Sequence, residues 1–109
     1  MSTYELELDE TVAAGAVVAS LSGEIDLTNA RELEEQLDDA AGDESVLVVD
    51  LNRVVFIDSA ALHVLFKVAR RRGEGRLKLL VEPDAPVSRT LDIVGMKQAV
   101  PIVSSLDEL

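Results

Sequence analysis

The Asp58-Ser59 pair is the part of the sequence best suited to carry chemistry. It separates two apolar stretches that have different periodicities. Val54 to Ile57 is a continuous apolar run of the kind that packs against a core in extended form. After the pair, apolar residues recur at helical spacing, namely Leu62, Leu65, Phe66 and Ala69. We therefore predict that a helix begins here, with Asp58 or Ser59 as its N-cap.

A hydroxyl at Ser59 would lie at the positive end of this helix, on a loop whose two flanks are anchored in the core. The backbone N–H groups of a first helical turn and the helix dipole both favour added negative charge. Ser59 is therefore a candidate for carrying a phosphate. The alternative is that Ser59 only caps the helix, since Ser and Asp are among the commonest caps.

Composition limits what else the chain can do. Its 109 residues suit one domain, placed over residues 1–109, and the core must be aliphatic because aromatic residues make up only 3%. Cysteine is absent, which excludes disulfides, thiol catalysis and Cys-based metal sites, and we expect no cofactor or metal. A net charge of −11 opposes direct binding of nucleic acid. The one basic cluster, Arg70 to Arg72, is interpreted as complementing the negative end of the second helix.

Localisation is predicted from hydropathy. No apolar run approaches the roughly 20 residues of a membrane span. The first seven residues lack the basic and apolar regions of a signal peptide. We expect a soluble cytoplasmic protein.

The remaining sequence predicts an α/β fold in which a hairpin precedes alternating strands and helices. The predicted strands are 4–8, 16–22, 45–51, 76–81 and, at the edge, 100–103, with a turn at Asn52-Arg53 after the third. A helix begins near Asn29, which would form a capping box with Glu32, and ends at Gly42. Its apolar stripe is Ala30, Leu33, Leu37 and Ala41, and its water-facing residues are Arg31, Glu34, Glu35, Asp38 and Asp39. The second helix runs from Ser59 to Arg72 and stops at Gly73; a short third one uses Val87, Leu91 and Val94. Ser105 to Glu108 has the pattern of a capping box.

Four segments in this order resemble the STAS domain family, and more narrowly the bacterial anti-sigma factor antagonists. They are Gly23-Glu24-Ile25-Asp26, Val48-Val49-Asp50-Leu51, Phe56-Ile57-Asp58-Ser59 followed by Leu62, and Leu91-Asp92-Ile93-Val94-Gly95-Met96. The resemblance covers nearly the whole chain. It implies one domain with a mixed sheet of four to five strands packed against three to four α-helices.

The resemblance also implies a partner-switching function. In that family the Ser after the Asp is phosphorylated by an anti-sigma factor that is itself a serine/threonine kinase. The unmodified antagonist binds this kinase and releases a sigma factor, and a PP2C-type phosphatase restores it. By position, Ser59 would be the phosphoacceptor, Asp58 would lie beside it, and Asp26 would share the surface. We expect a monomer or weak dimer.

The sequence departs from the family's usual Asp-Ser-Ser-Gly-Leu-Gly at three positions. Ala60, Ala61 and His63 replace Ser, Gly and Gly, which leaves Ser59 as the only hydroxyl in the motif. His63 lies four residues after Ser59 and hence on the same helix face, where it could contact a phosphate or a partner. Alternatively, it is an ordinary surface residue.

Two other classes of function are alternatives. The first is a non-switching scaffold subunit, for instance of a lipid-transport or stress-sensing complex, in which Ser59 is only a cap. The second is an enzyme, which the sequence disfavours: it has one His, and Gly73-Glu74-Gly75 lacks the Lys and Ser/Thr of a phosphate-binding loop. Some members of the family bind nucleotide, and weak binding near Ser59 stays open.

Overall fold

The computed structural model describes residues 3–109. The first two residues lie outside it, although they belong to the predicted domain and to the segment tested for a signal peptide. Within that part of the chain, five strands form one sheet in the order β1-β2-β3-β4-β5, accompanied by three α-helices. The strands are β1 Tyr4–Asp9, β2 Ala16–Ile25, β3 Val46–Ile57, β4 Leu77–Leu80 and β5 Ile102–Val103. The helices are α1 Ala30–Ala40, α2 Ser59–Arg72 and α3 Ser88–Ile93, with 3₁₀ turns at Met96–Gln98 and Leu106–Glu108.

The sheet is mixed, as predicted. β1 pairs with β2 as an antiparallel hairpin, and the other neighbours are parallel. The buried sides of all three helices share one core with one face of the sheet, and a smaller cluster of Val18, Val48 and Leu80 lies on the other face. β3 is apolar on both faces, as expected for a central strand.

The prediction that β2 ends at Ser22 is wrong, because the strand continues to Ile25. Gly23 makes this possible. Its φ is +97°, and a Cβ there would lie 2.5 Å from the carbonyl oxygen of Thr3. The glycine that looked like a strand end therefore lets β1 approach β2 closely, and the longer β2 delivers Asp26 to the edge of the sheet.

The predicted turn at Asn52-Arg53 is also wrong, because β3 runs through it without a break. The register against β2 shifts twice, and β3 takes seven steps from Asp50 to Ile57 where β2 takes five from Ser20 to Ile25. The Asn52 N–H donates to the Asp50 carboxylate at 2.9 Å, and the Asn52 side chain accepts from the Glu82 N–H at 2.7 Å. The bond between Asn52 and Asp50 is of the local kind that often marks a turn, whereas the bond from Glu82 joins distant parts of the chain, and both lie at the first β-bulge.

Helix α2 begins and ends as predicted, with Leu62 and Leu65 buried. Helix α1 ends slightly earlier than expected, so that Ala40 rather than Ala41 completes its buried stripe. In the third helix Val87 and Leu91 are buried, but Val94 lies beyond the helix end and is exposed. The capping box of Ser105 and Glu108 is present.

The basic cluster Arg70 to Arg72 lies in the last turn of α2, as predicted, and two of its arginines also make contacts beyond the helix. Arg71 bonds to Asp38 at 2.8 Å and to Glu34, both on α1. Arg72 donates to the carbonyl oxygens of Ala41, Gly42 and Ser45 at 3.1, 2.8 and 2.6 Å. These arginines tie α2 to α1 and to the loop after it, and Glu34, which was expected to face water, is half-buried in this network.

Candidate functional site

The N-cap of α2 is Asp58. One carboxylate oxygen accepts from the Ala61 N–H at 3.1 Å, and the other accepts from the Leu27 N–H at 3.1 Å. The Asp58 N–H donates in turn to the carbonyl oxygen of Ile25 at 3.2 Å. One side chain thus joins the start of α2 to the loop between β2 and α1, and this decides between the two caps that the sequence left open.

Ser59 is the first residue of α2 and is exposed. Within residues 3–109, its hydroxyl has no hydrogen-bond partner, since Asp58 makes the capping bond. The first helical backbone bond runs from the Leu62 N–H to the Asp58 carbonyl oxygen at 3.0 Å. The N–H groups of Ser59 and Ala60 therefore precede the helical ladder and lie where a bound anion is favoured.

Asp26 lies in the loop that contacts Asp58. Its carboxylate accepts from the Thr28 N–H at 2.9 Å and from the Thr28 hydroxyl at 2.6 Å. Its carbonyl oxygen accepts from the N–H groups of Asn29 and Ala30 at 3.1 and 2.8 Å. Asp26 thus shapes the loop, and the structure brings it to the same surface as Asp58 and Ser59.

Asn29 is the N-cap residue of α1, as predicted, but its side chain makes no capping hydrogen bond, and no capping box with Glu32 forms in the described structure. Asn29 is only 8% exposed. Its side chain accepts from the Asp26 N–H and donates to the Glu24 carbonyl oxygen, both at 3.0 Å. Asn favours such local bonds, so a cap-like pattern here marks a residue that holds the Asp26 loop in place.

His63 is exposed on α2, one turn after Ser59. A separation of four residues corresponds to about 6 Å along the helix axis, so the imidazole and the Ser59 side chain share one face. The next cation along α2 is Lys67, and it is paired with Glu34 at 3.0 Å. His63 is therefore the basic side chain of α2 that lies nearest to Ser59 along the helix.

Three exposed apolar side chains, which we call the apolar patch, lie in the two segments that meet at Asp58, and the sequence did not predict them. Leu27, Val55 and Phe56 are 79%, 62% and 50% exposed. Val54 to Ile57 was predicted to pack against the core, but only its first and last residues are buried. The bulges break the alternation of β3, so that Val55 and Phe56 both face outward. The two hydrogen bonds of Asn52 lie at the first bulge, and this Asn was the one residue in the sequence that signalled an irregularity in β3.

The described residues contain no group of three or more His, Asp or Glu side chains placed to hold a metal ion. Among the same residues, no helix is long and apolar enough to cross a membrane. The site consists instead of a hydroxyl without a hydrogen-bond partner among these residues, an acidic cap, an acidic loop held by hydrogen bonds, and exposed apolar side chains. Such a surface suits recognition by another protein.

A model of the STAS domain matches residues 7–109. The chain belongs to the STAS domain family. Over 95 residues it is 30% identical to the anti-sigma-F factor antagonist RsfB of Mycobacterium tuberculosis, which covers 86% of this chain and 78% of the relative. This STAS domain also resembles the crystal structure of an anti-sigma factor antagonist from Mycobacterium paratuberculosis. The TM-score is 0.82 at 26% identity, covering 97% of this chain and 90% of that one.

The phosphorylated form of the Bacillus cell fate determinant SpoIIAA is a more distant likeness of this STAS domain. The TM-score is 0.57 at 16% identity, with 95% of this chain and 96% of that chain covered. At this level of identity the comparison concerns the fold alone. Together with the family match, the comparisons confirm the predicted STAS fold, a mixed sheet of four to five strands packed against helices, with five strands observed.

Proposed function

We propose that this STAS domain is an anti-sigma factor antagonist whose binding is switched off by phosphorylation of Ser59. The observation that carries the proposal is the free, exposed Ser59 hydroxyl beside a cap made by Asp58. A serine needed as the cap would have its hydroxyl occupied, whereas this one is available to a kinase. The mycobacterial relatives, which are anti-sigma factor antagonists, support the same role.

The unmodified surface fits a protein partner. Leu27, Val55 and Phe56 supply exposed apolar area in the two segments that meet at Asp58, and burying such area against a partner favours binding. Asp26 and Asp58 add two carboxylates, and His63 adds a donor on the adjacent face of α2. The proposed partner is an anti-sigma factor with serine/threonine kinase activity, and a PP2C-type phosphatase would reverse the modification.

The proposal is tested by isolating the anti-sigma factor with unphosphorylated protein, then incubating the two with ATP and measuring intact mass. We expect one phosphate on the wild type and none on Ser59→Ala, which should still bind the anti-sigma factor. Ser88→Ala is the matched control, because Ser88 is also the first residue of a helix. It should be phosphorylated and bound like the wild type.

Two results would contradict the proposal. A phosphate on Thr28 or Ser88 would show that Ser59 is not the acceptor. A partner that binds Ser59→Ala and wild type equally, but never phosphorylates either, would favour the alternative of a non-switching scaffold subunit.

A further inference from the structure

We propose that this domain has a second binding site, at the end of the sheet opposite to Ser59. It would bind an amphiphilic anion, a carboxylate attached to an apolar chain. A groove of about 570 Å³ lies there. It is formed by the last turns of α2, the turn at Gly73 to Gly75, the start of β4 and residues 97–101. Its volume is within the range of pockets that hold small molecules.

The groove results from the shortness of β5. Ile102 and Val103 pair only with Leu79 and Leu80, so β5 does not extend alongside the first residues of β4. Pro101 has no N–H to continue the ladder, although its carbonyl oxygen accepts from the Leu79 N–H at 2.9 Å. A gap is therefore left between the start of β4 and the segment before β5.

The walls of the groove are held in place by backbone bonds. The N–H groups of Ala99 and Val100 both donate to the Met96 carbonyl oxygen at 2.9 Å. On the other side, the Gly73 N–H donates to Ala69 and the Arg76 N–H donates to the Gly73 carbonyl oxygen, both at 3.1 Å. A ligand would meet a largely preformed surface, which lowers the entropic cost of binding.

The lining combines apolar side chains with two cations. The apolar part comes from Phe66, Ala69, Leu77, Ala99 and Pro101. Arg70 and Lys97 are exposed at the groove, and within residues 3–109 neither forms an ion pair or a side-chain hydrogen bond. The other cations of α2 are engaged: Lys67 and Arg71 pair with α1, and Arg72 binds carbonyl oxygens.

Charge therefore points to an anion. The lining contains one acid, Glu74, against Arg70 and Lys97, so the groove carries a net positive charge on a chain whose total is −11. Two unpaired cations beside apolar surface complement a carboxylate head with an apolar chain.

The groove and the Ser59 site are physically separate. Arg70 lies eleven residues after Ser59 on α2, which corresponds to about 16 Å along the helix axis. Leu77 pairs with Leu47 near the start of β3, whereas Ser59 follows the end of that strand. Ligand binding in the groove can consequently be tested independently of the proposed switch.

The experiment is a titration of ¹⁵N-labelled full-length protein with dodecanoate below its micelle concentration, followed by NMR and calorimetry. We expect saturable binding with shifts at the amides of residues 73–77 and 97–100. Arg70→Gln/Lys97→Gln should weaken this binding about tenfold, a loss typical of removed charge-assisted bonds. Arg31→Gln/Arg89→Gln is the matched control, because it removes two exposed cations outside the groove. It should bind like the wild type.

Two further ligands test the chemistry. Dodecanol has the chain without the charge and should bind much more weakly than dodecanoate. A short Glu-rich peptide has the charge without the chain and should not bind. Equal affinities of the two double variants, equal binding of dodecanol, preferential binding of the peptide, or shifts centred on residues 58–60 would each overturn the proposal. Thermal melts of both double variants verify that each is folded.

Discussion

The carboxylate of Asp58 holds the backbone of Leu27 across the edge of the sheet. The distance from the Leu27 nitrogen to the Asp58 oxygen is 3.1 Å, and the second oxygen of the same carboxylate caps α2 at 3.1 Å. The loop before α1 and the first turn of α2 are therefore joined by one side chain. Because Asp58 performs both tasks, the Ser59 hydroxyl is left over for another use.

The first prediction concerns this bridge. Asp58→Ala removes the cap and the bond to Leu27, and we expect it to lower the free energy of unfolding by about 1–2 kcal/mol. Asp58→Asn should cost less than Asp58→Ala, because Asn also caps helices well. It should still cost some stability, because its one amide oxygen cannot accept from both donors as the two carboxylate oxygens do. Urea denaturation measures both effects. The exposed Asp84 is the control, and Asp84→Ala should change stability by less than about 0.5 kcal/mol. A similar loss at both sites would contradict the bridge.

The second prediction separates binding from stability at the apolar patch. Leu27→Ala and Val55→Ala remove exposed side chains, so each should change the free energy of unfolding by less than about 0.5 kcal/mol. Each should nevertheless weaken binding of the anti-sigma factor by about tenfold, because each removes apolar area that would be buried against the partner.

Matched variants define the contrast in that experiment. Ile93 is 75% exposed at the end of α3, and Ile93→Ala should affect neither stability nor binding. Leu65 is fully buried in α2, and Leu65→Ala should cost about 2–5 kcal/mol of stability. If Ile93→Ala weakened binding as much as Leu27→Ala, the interface would not be centred on the apolar patch.

The elements that the sequence predicted well are those whose periodic pattern is long. Helix α2 shows apolar residues at helical spacing over its whole length, and its bounds match the prediction. The two caps could not be separated beforehand, because Asp and Ser cap equally well in isolation. In the structure the Ala61 N–H donates to Asp58, which assigns the cap, and the Leu27 N–H, from a distant part of the chain, donates to the other oxygen of the same carboxylate.

Two of the wrong predictions concern short polar residues that form local hydrogen bonds. Asn52 and Asn29 both show patterns that often accompany turns and caps, yet Asn52 stabilises a bulge and Asn29 supports the Asp26 loop. Which of these structures forms depends on long-range partners, such as the Glu82 N–H, that no local window contains. The same bulges expose Val55 and Phe56, and for this reason the apolar patch was missed.

The third prediction is a titration of Tyr4, the one tyrosine in the chain. Partial burial, reinforced by the charge of Glu32 and a hydrogen bond to it, raises the pKa of Tyr4 from 10.0 to about 12. Because the folded value lies above the unfolded one, this phenol stabilises the fold below pH 10.0, and the contribution is lost as pH rises toward about 12. Near-ultraviolet absorbance reports tyrosinate directly. Glu32→Gln should lower the measured pKa while leaving it above 10, whereas Glu35→Gln should leave it unchanged.

The fourth prediction concerns acid stability. Hydrogen bonds from Lys67, and then from Arg71, hold the pKa of Glu34 below its ordinary value. A carboxylate with a lowered folded pKa contributes stability above its unfolded pKa of about 4.3, and that contribution disappears as pH falls through the folded value. Glu34→Gln should therefore lower the free energy of unfolding at neutral pH. It should also make the acid limb shallower, that is, the fall of the free energy of unfolding as pH decreases. Glu35→Gln, next to it and exposed, is the control. Identical acid limbs in the two variants would show that the network between α1 and α2 contributes nothing in solution.

The fifth prediction is that phosphorylation of Ser59 abolishes binding without refolding the domain. The N-terminus of α2 stabilises an added anion by only about 0.3–1 kcal/mol, which is enough to accept a phosphate but not to drive a rearrangement. The first cation further along α2, Lys67, is already paired with Glu34. Within the described residues of α2, no free Lys or Arg lies near enough to Ser59 to recruit a loop.

At the interface the same phosphate is costly. A group of about −1.5 to −2 charge would lose water beside Asp58 and near the Asp26 loop, and burying an unpaired charge costs several kcal/mol. A penalty of about 3–4 kcal/mol would weaken binding several-hundred-fold, which suffices for a switch. Amide NMR spectra with and without phosphate, together with a binding titration, provide the measurement. We expect shifts confined to the first turn of α2 and residues 26–28, together with lost affinity. Shifts spread through β4 and α3, or an unchanged affinity, would show that the switch is not an electrostatic block at Ser59.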